Sequence, residues 1–256
     1  MPAAIKLIAI LAAVIIISAL LLIFMICPAL RKHPDIKLLY KRYIAHRGLH
    51  DLEANTPENS LASFRKAAEE GYAIENDIHL TADGEVIVFH DNNLIRMCGI
   101  DKAPEEMTLK ELKKLKLAGT TEQIPTLKEC LDTVNGKVPL LIEFKCNGLN
   151  CKKLCEAAEY ILSNYNGKYF IQSFYPTVLL WYRKNRRDIC RGQLATAFYG
   201  KALYMRMLGG LLFNFLGRPD FVSYEFKYIN HPLRRLCVKL GAFPVCWTFH
   251  SMQEIE

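Results

Sequence analysis

After residue 42 the sequence has no linker, no low-complexity stretch and no break in composition, so residues 43–256 suit one domain with a sizeable core. It has no basic run interleaved with aromatics. Its net charge of +7 therefore does not point to nucleic acid. Nine cysteines are present but none falls at a common metal-ligand spacing. The C-x4-C-x3-C run of Cys146, Cys151 and Cys155 reads as packing at a helix start. An odd cysteine count without paired spacing suits reduced thiols in a reducing compartment.

Long apolar runs are absent except at the start, where residues 4–27 are interrupted only by Lys6. That length is enough to cross a bilayer as a helix. A cleaved signal would have a shorter apolar core and a small-x-small exit, whereas this run leaves through Phe24-Met25-Ile26-Cys27-Pro28. The expectation is an uncleaved single-pass anchor over residues 1–28 and a basic juxtamembrane linker over 29–42. Arg31, Lys32, Lys37, Lys41 and Arg42 follow the run, so the positive-inside rule puts the globular part in the cytoplasm. The same cluster suits anionic headgroups.

From residue 43 onward, short apolar strands alternate with amphipathic helices, the pattern of a parallel α/β sheet or barrel. Thr56-Pro57-Glu58-Asn59 reads as a helix start, with Thr as N-cap and Pro at the first position. Thr108-x-x-Glu111 and Thr126-x-x-Glu129 read as two capping boxes. Strand 73–80 and the run 86–90 lie too close for a crossover and imply a hairpin through Ala82-Asp83-Gly84. A two-residue turn there sets His90 opposite Glu75 or Asp77, in either case about 5 Å from a carboxylate. Strand–helix units follow at 139–163, 169–187, 192–215 and 221–240, with a last strand at 244–249. That makes seven parallel strands, so the expected fold is a (β/α)8 TIM-like barrel lacking its last helix–strand unit.

Chemistry concentrates in residues 44–91. His46 and His90 can act as an acid/base pair, Arg47 as a cation for phosphate, and Glu75 and Asp77 as oxygen ligands on one strand face. Two adjacent carboxylates without a cation repel each other, which is why such pairs commonly hold a metal. Glu143 ends an apolar strand, where a charge is costly without a partner. With Lys145 two positions on, it is either a structural ion pair or a third metal ligand beside a phosphate contact. His79 shares the Glu75/Asp77 face and reads better as a hydrogen-bonding core residue. His33, His50, His231 and His250 have no evident partner. Trp247 either packs on substrate or fills core, and Leu208–Leu216 is a buried helix or a membrane contact.

The motifs "AHRG" at 45–48, "PENS" at 57–60, "IENDIHLTADGEVIVFHD" at 74–91, "LLIEFK" at 140–145, "IQSF" at 171–174 and "CWTF" at 246–249 resemble the glycerophosphodiester phosphodiesterase family. The resemblance implies a barrel related to the phosphatidylinositol-specific phospholipases C. It also implies calcium or magnesium on Glu75, Asp77 and Glu143, His46 and His90 as base and acid, and phosphate contacts from Arg47 and Lys145. In that family the glycerol 2-hydroxyl is thought to attack phosphorus, giving a cyclic phosphate that water opens. Ser60 stands where the family commonly has threonine. The expected activity is hydrolysis of glycerophosphodiesters to glycerol 3-phosphate and an alcohol. The alternatives are a lysophospholipase D acting on membrane lysophospholipids, or an inactive phosphodiester-binding module or fragment.

Overall fold

A computed structural model describes residues 2–146, 150–249 and 251–254; His250 lies outside the described residues. Its eight-stranded sheet contains β1 (Ile44–Ala45), β2 (Ala73–Leu80), β3 (Val86–Val88), β4 (Leu140–Phe144), β5 (Tyr169–Ser173), β6 (Arg191–Ala195), β7 (Phe221–Glu225) and β8 (Phe243–Trp247). The order is β1-β2-β4-β5-β6-β7-β8, all parallel, and β3 lies antiparallel on β2. Seven parallel strands match the count read from the sequence. Among the described residues β1 and β8 form no ladder with each other, so the barrel-type sheet is open on that side.

Period-two alternation divides the strands into two faces. Ile74, Ile78, Leu140, Ile142 and Ile171 pack outward with Phe64, Leu131, Leu154 and Leu179 in the main core. Those partners come from helices α2 (Leu61–Glu69), α5 (Leu127–Val134), α6 (Cys151–Leu162) and α7 (Pro176–Asn185). The chain between β3 and β4 includes α3 (Ile95–Cys98) and α4 (Leu109–Leu112), held by a second core of Ile87, Phe89, Leu94, Met97, Leu112, Leu117 and Ile124. Both expected capping boxes are formed, at Thr108 for α4 and at Thr126 for α5.

The apolar run forms α1 (Ala3–Ile26), whose mean hydropathy reaches 3.3 and which is long and apolar enough to cross a membrane. Among the described residues, its last turn meets the rest of the molecule. Ile26 is fully buried, and Asn214 Nδ2 donates to the Ile26 carbonyl at 3.1 Å. Arg218 Nη1 donates to the carbonyls of Phe24 and Cys27 at 2.8 and 2.9 Å. Those carbonyls would otherwise lack partners at a helix end. The following segment is folded too. A 3-10 turn at Pro34–Leu39 sets Leu39 against Leu141, Phe170, Cys190 and Phe221, under the starts of the strands.

Four local expectations are corrected. Helix α2 begins at Leu61, capped by Ser60 and Ser63, because Asn59 adopts φ +53 and turns the chain before the helix can start. The hairpin pairs Leu80 with Val86, and Thr81 N–H bonds the Glu85 carbonyl, so the turn has three residues rather than two. The 201–215 segment of its strand–helix unit is not one helix but two, α8 (Leu203–Gly209) and α9 (Asn214–Gly217), with Leu211 at φ +60 turning the chain between them. Cys146 and Cys151 are joined by a disulfide, with Cα atoms 5.1 Å apart; the other seven cysteines are free. The last strand–helix unit, β7, α10 (Pro232–Lys239) and β8, falls where the sequence places it.

Candidate active site

The site is built on the edge that β2 shares with β4. In their parallel register Asp77 stands directly opposite Glu143, and Glu75 lies two residues back on the same face. Ligand oxygens of Glu75, Asp77 and Glu143 all lie within 4.8 Å of one another, and all three residues are buried. On its other edge β2 pairs with β1 through Ala73 and Ile74, and with β3 through Ile78, His79 and Leu80. The His46-Arg47-Gly48 turn leaves β1 beside the interval between them, and Arg47 N–H donates to Glu75 Oε2 at 3.1 Å. The turn is specified locally. Gly48 has φ +82, and a Cβ there would overlap Ser63 Oγ.

Cations and carboxylates converge here. Lys145 Nζ stands 2.6 Å from Glu143 Oε1 and 3.1 Å from Asp77 Oδ1, and Arg47 Nε is 3.8 Å from Asp77 Oδ2. Asn59 Nδ2 donates to Asp77 Oδ2 at 2.9 Å. Asp77 Oδ1 and Glu143 Oε1 are buried yet accept no well-angled hydrogen bond. Burial would raise the carboxyl pKa of Asp77, but Lys145, His90, Asn59 and Arg47 outweigh it and hold the group well below its ordinary range. Burial dominates at Glu143, which rises to about 7 despite Lys145. Glu75 is also raised well above the usual carboxylate range, by burial and then by the charges of Asp77 and Glu143. Lys145 remains charged because Asp77 and Glu143 outweigh the cost of burying it.

Three buried carboxylates facing one lysine are a hard-oxygen donor set short of positive charge. That is the chemistry a calcium or magnesium ion fits. The ion pair and the metal-ligand reading of Glu143 and Lys145 are compatible: the ammonium covers carboxylate oxygens that a divalent cation would bind more strongly.

The two histidines differ. His46 is lowered to about 4, first by burial and then by Arg47, with Asp77 opposing. His90 is also lowered by burial, but Asp77 and a hydrogen bond to Asp91 pull against that. Its Nδ1 lies 2.6 Å from Asp91 Oδ1, so Nδ1 carries the proton. The three-residue hairpin turn puts His90 in line with Asn76 rather than a carboxylate, which corrects the expected register. β3 ends at Val88, and Phe89 N–H still bonds the Asp77 carbonyl at 2.9 Å. His90 and Lys145 line a cleft of about 410 Å³ with Asp91, Asn92 and Asn93.

Glu58, Asn59, Asp91 and Arg96 were not singled out from the sequence. Glu58 Oε1 accepts from Arg47 Nη1 at 2.8 Å. Polar residues clustered in turns next to strand ends are the signal that could have found them. The lesser candidates scatter. His79 pairs with Glu105 at 2.7 Å within the fold, His33 Nε2 is 2.8 Å from the Asp188 carbonyl, His50 is exposed, and His231 stacks on Tyr224. Trp247, the last residue of β8, lies edge-on to Phe174 at 5.9 Å, and Phe198 lies edge-on to Phe174 at 6.0 Å; Phe174 and Phe198 follow the ends of β5 and β6. The Leu208–Leu216 stretch contributes Phe215, whose ring is 5.7 Å from Phe24 of α1.

An open α/β barrel thus gathers a carboxylate trio, two histidines and two cations in one place. The chain belongs to the glycerophosphoryl diester phosphodiesterase family, whose sequence model matches residues 46–250. It is 36% identical over 146 residues to a glycerophosphodiester phosphodiesterase of Caldanaerobacter subterraneus subsp. tengcongensis, covering 51% of this chain and 57% of that one. It is 31% identical over 133 residues to a lysophospholipase D of Rattus norvegicus, covering 47% of this chain and 41% of that one. The chain thus spans about half the length of the curated relatives it matches. The fold is similar to an Oleispira antarctica phosphodiesterase solved with sn-glycerol-3-phosphate. There the TM-score is 0.70 at 23% identity, over 83% of this chain and 86% of that one.

Proposed function

We propose that the protein hydrolyses glycerophosphodiesters to glycerol 3-phosphate and an alcohol, with Glu75, Asp77 and Glu143 holding calcium or magnesium. The observation that carries this reading is the β2–β4 register, which sets Asp77 beside Glu143 with Lys145 on both. When bound, the divalent cation neutralises phosphoryl oxygens as charge builds on them.

The remaining chemistry belongs to the chain's own side chains. Arg47 and Lys145 hold the diester's anionic oxygens. His46, kept neutral by burial and by Arg47, takes the proton of the attacking hydroxyl. His90 starts protonated on both ring nitrogens, with Nδ1–H held by Asp91, and gives its Nε2 proton to the leaving alkoxide. One phosphorus–oxygen bond forms as the other breaks, and each histidine ends in the state the other began in. Water then completes hydrolysis with the roles reversed. The difference between the histidines supports His46 as base and His90 as acid.

A second reading takes a lysophospholipid as the diester, supported by α1 and by the rat lysophospholipase D relative. In both readings residues 1–28 anchor the barrel domain, 43–256, in the membrane as a single pass. The flanking basic residues favour a cytoplasmic barrel, whereas the Cys146–Cys151 bridge suits an oxidising side. Protease protection in sealed vesicles separates the two.

The test of activity is product analysis from glycerophosphocholine and lysophosphatidylcholine, with His46→Ala as blank. Glycerol 3-phosphate and choline from the first substrate are expected. Choline with lysophosphatidic acid from the second alone moves the substrate to the lipid. No product from either, by a chain whose melting shows it folded, leaves a binding module.

A further inference from the structure

Arg96 has no role in the mechanism above, yet it contacts both sides of the site. It lies on α3, between Leu94 and Met97, which are buried in the second core and fix its backbone. Its side chain is 48% exposed at the rim of the mouth. Nη2 donates to Glu58 Oε1 at 2.6 Å and to Asp91 Oδ1 at 3.0 Å, Nη1 to Glu58 Oε2 at 3.1 Å, and Nε to Asp91 Oδ2 at 2.7 Å. One guanidinium therefore engages both oxygens of two carboxylates.

Each of those carboxylates has a second task. Glu58 Oε1 also holds Arg47, and Asp91 Oδ1 also holds His90. The series Arg47, Glu58, Arg96, Asp91, His90 joins three separate segments: the turn after β1, the turn before α2 and the loop after β3. Isolated surface ion pairs contribute little to stability. This one differs because its two partners end on the side chains assigned to phosphate and to the leaving group. A lysine could neutralise the same charges but could not fork to both carboxylates.

We infer that Arg96 is a positioning residue that fixes His90 and Arg47 relative to each other by clamping Asp91 and Glu58 together. The inference rests on the proposed phosphodiesterase reading for its kinetic consequence, though not for its geometry.

The test compares Arg96→Ala and Arg96→Lys with the wild-type full chain on glycerophosphocholine. Loss of a group that orients a reacting side chain costs about 10- to 100-fold, and the loss should appear in kcat more than in KM. Arg96→Lys should recover only part of it. In a His90→Ala background, Arg96→Ala should cost much less than it does alone, because both act through one group. A merely structural arginine would instead lower the melting temperature and the active fraction, and its cost would add to that of His90→Ala.

A second arm needs no turnover: nitrogen NMR of the His90 imidazole in the metal-free protein. With the imidazole neutral, wild type should show a single Nδ1–H tautomer and Arg96→Ala a mixture. An unchanged His90 signal together with wild-type kcat, or fully additive losses, overturns the clamp. If wild type turns over no diester, the functional reading fails and the NMR arm alone decides.

Discussion

β2 and β8 are both parallel strands of one sheet, and they could hardly differ more. Every residue of β2 is buried, and it has neighbours along both edges. None of the five residues of β8 is buried, and among the described residues β8 pairs only with β7. Three titratable side chains, Glu75, Asp77 and His79, sit on the well-shielded strand. The half-buried strand carries Trp247 and Cys246. Charge interactions strengthen as water is excluded, so the carboxylates, Lys145 and the histidines gain most where the sheet is deepest. The β8 side instead offers an aromatic surface of Phe174, Phe198 and Trp247.

The comparison breaks most visibly if substitutions on the two sides cost the same. His46→Ala and His90→Ala should each lower kcat by about 10²- to 10⁴-fold, measured as product release under saturating substrate. Asn59→Ala comes next. It removes the donor to Asp77 Oδ2, so activity should fall about 10- to 100-fold and stability by roughly 1.5–3 kcal/mol, read from thermal melting.

Acid should act selectively on the deep side. His46 titrates near 4 in the folded chain against 6.5 when unfolded. Between those values the unfolded state binds more protons, so His46's contribution is complete above about pH 6.5 and falls away as pH drops toward 4. Melting temperatures of wild type and His46→Gln across that window should converge as pH falls. Parallel curves would remove His46 from the buried set. The smallest effect belongs to β8: Trp247→Ala should raise KM a few-fold and leave kcat nearly unchanged.

Much of the deep side is legible in the sequence because its signals are local. The alternation of strand 73–80 sorts Glu75 and Asp77 onto one face. Thr108 and Thr126 announce their helices by the acid three residues later, and both form as expected. What the sequence hides depends on backbone turns. Thr-Pro-Glu satisfies every rule for a helix start, but Asn59 at φ +53 makes it a turn that aims Glu58 at Arg47 and Asn59 at Asp77. One extra hairpin residue moves His90 from opposite a carboxylate to opposite Asn76. Arg96 joins Glu58 across 38 positions, a contact that no local pattern signals.

The central claim is that the trio on β2 and β4 is the metal site on which turnover depends. Its most direct test restores calcium or magnesium to the chelator-stripped protein while following glycerol 3-phosphate release, with Asp77→Asn alongside. The account predicts one saturable rise in wild type and none in the variant. Full turnover in EDTA, or an Asp77→Asn chain that saturates as wild type does, would contradict it.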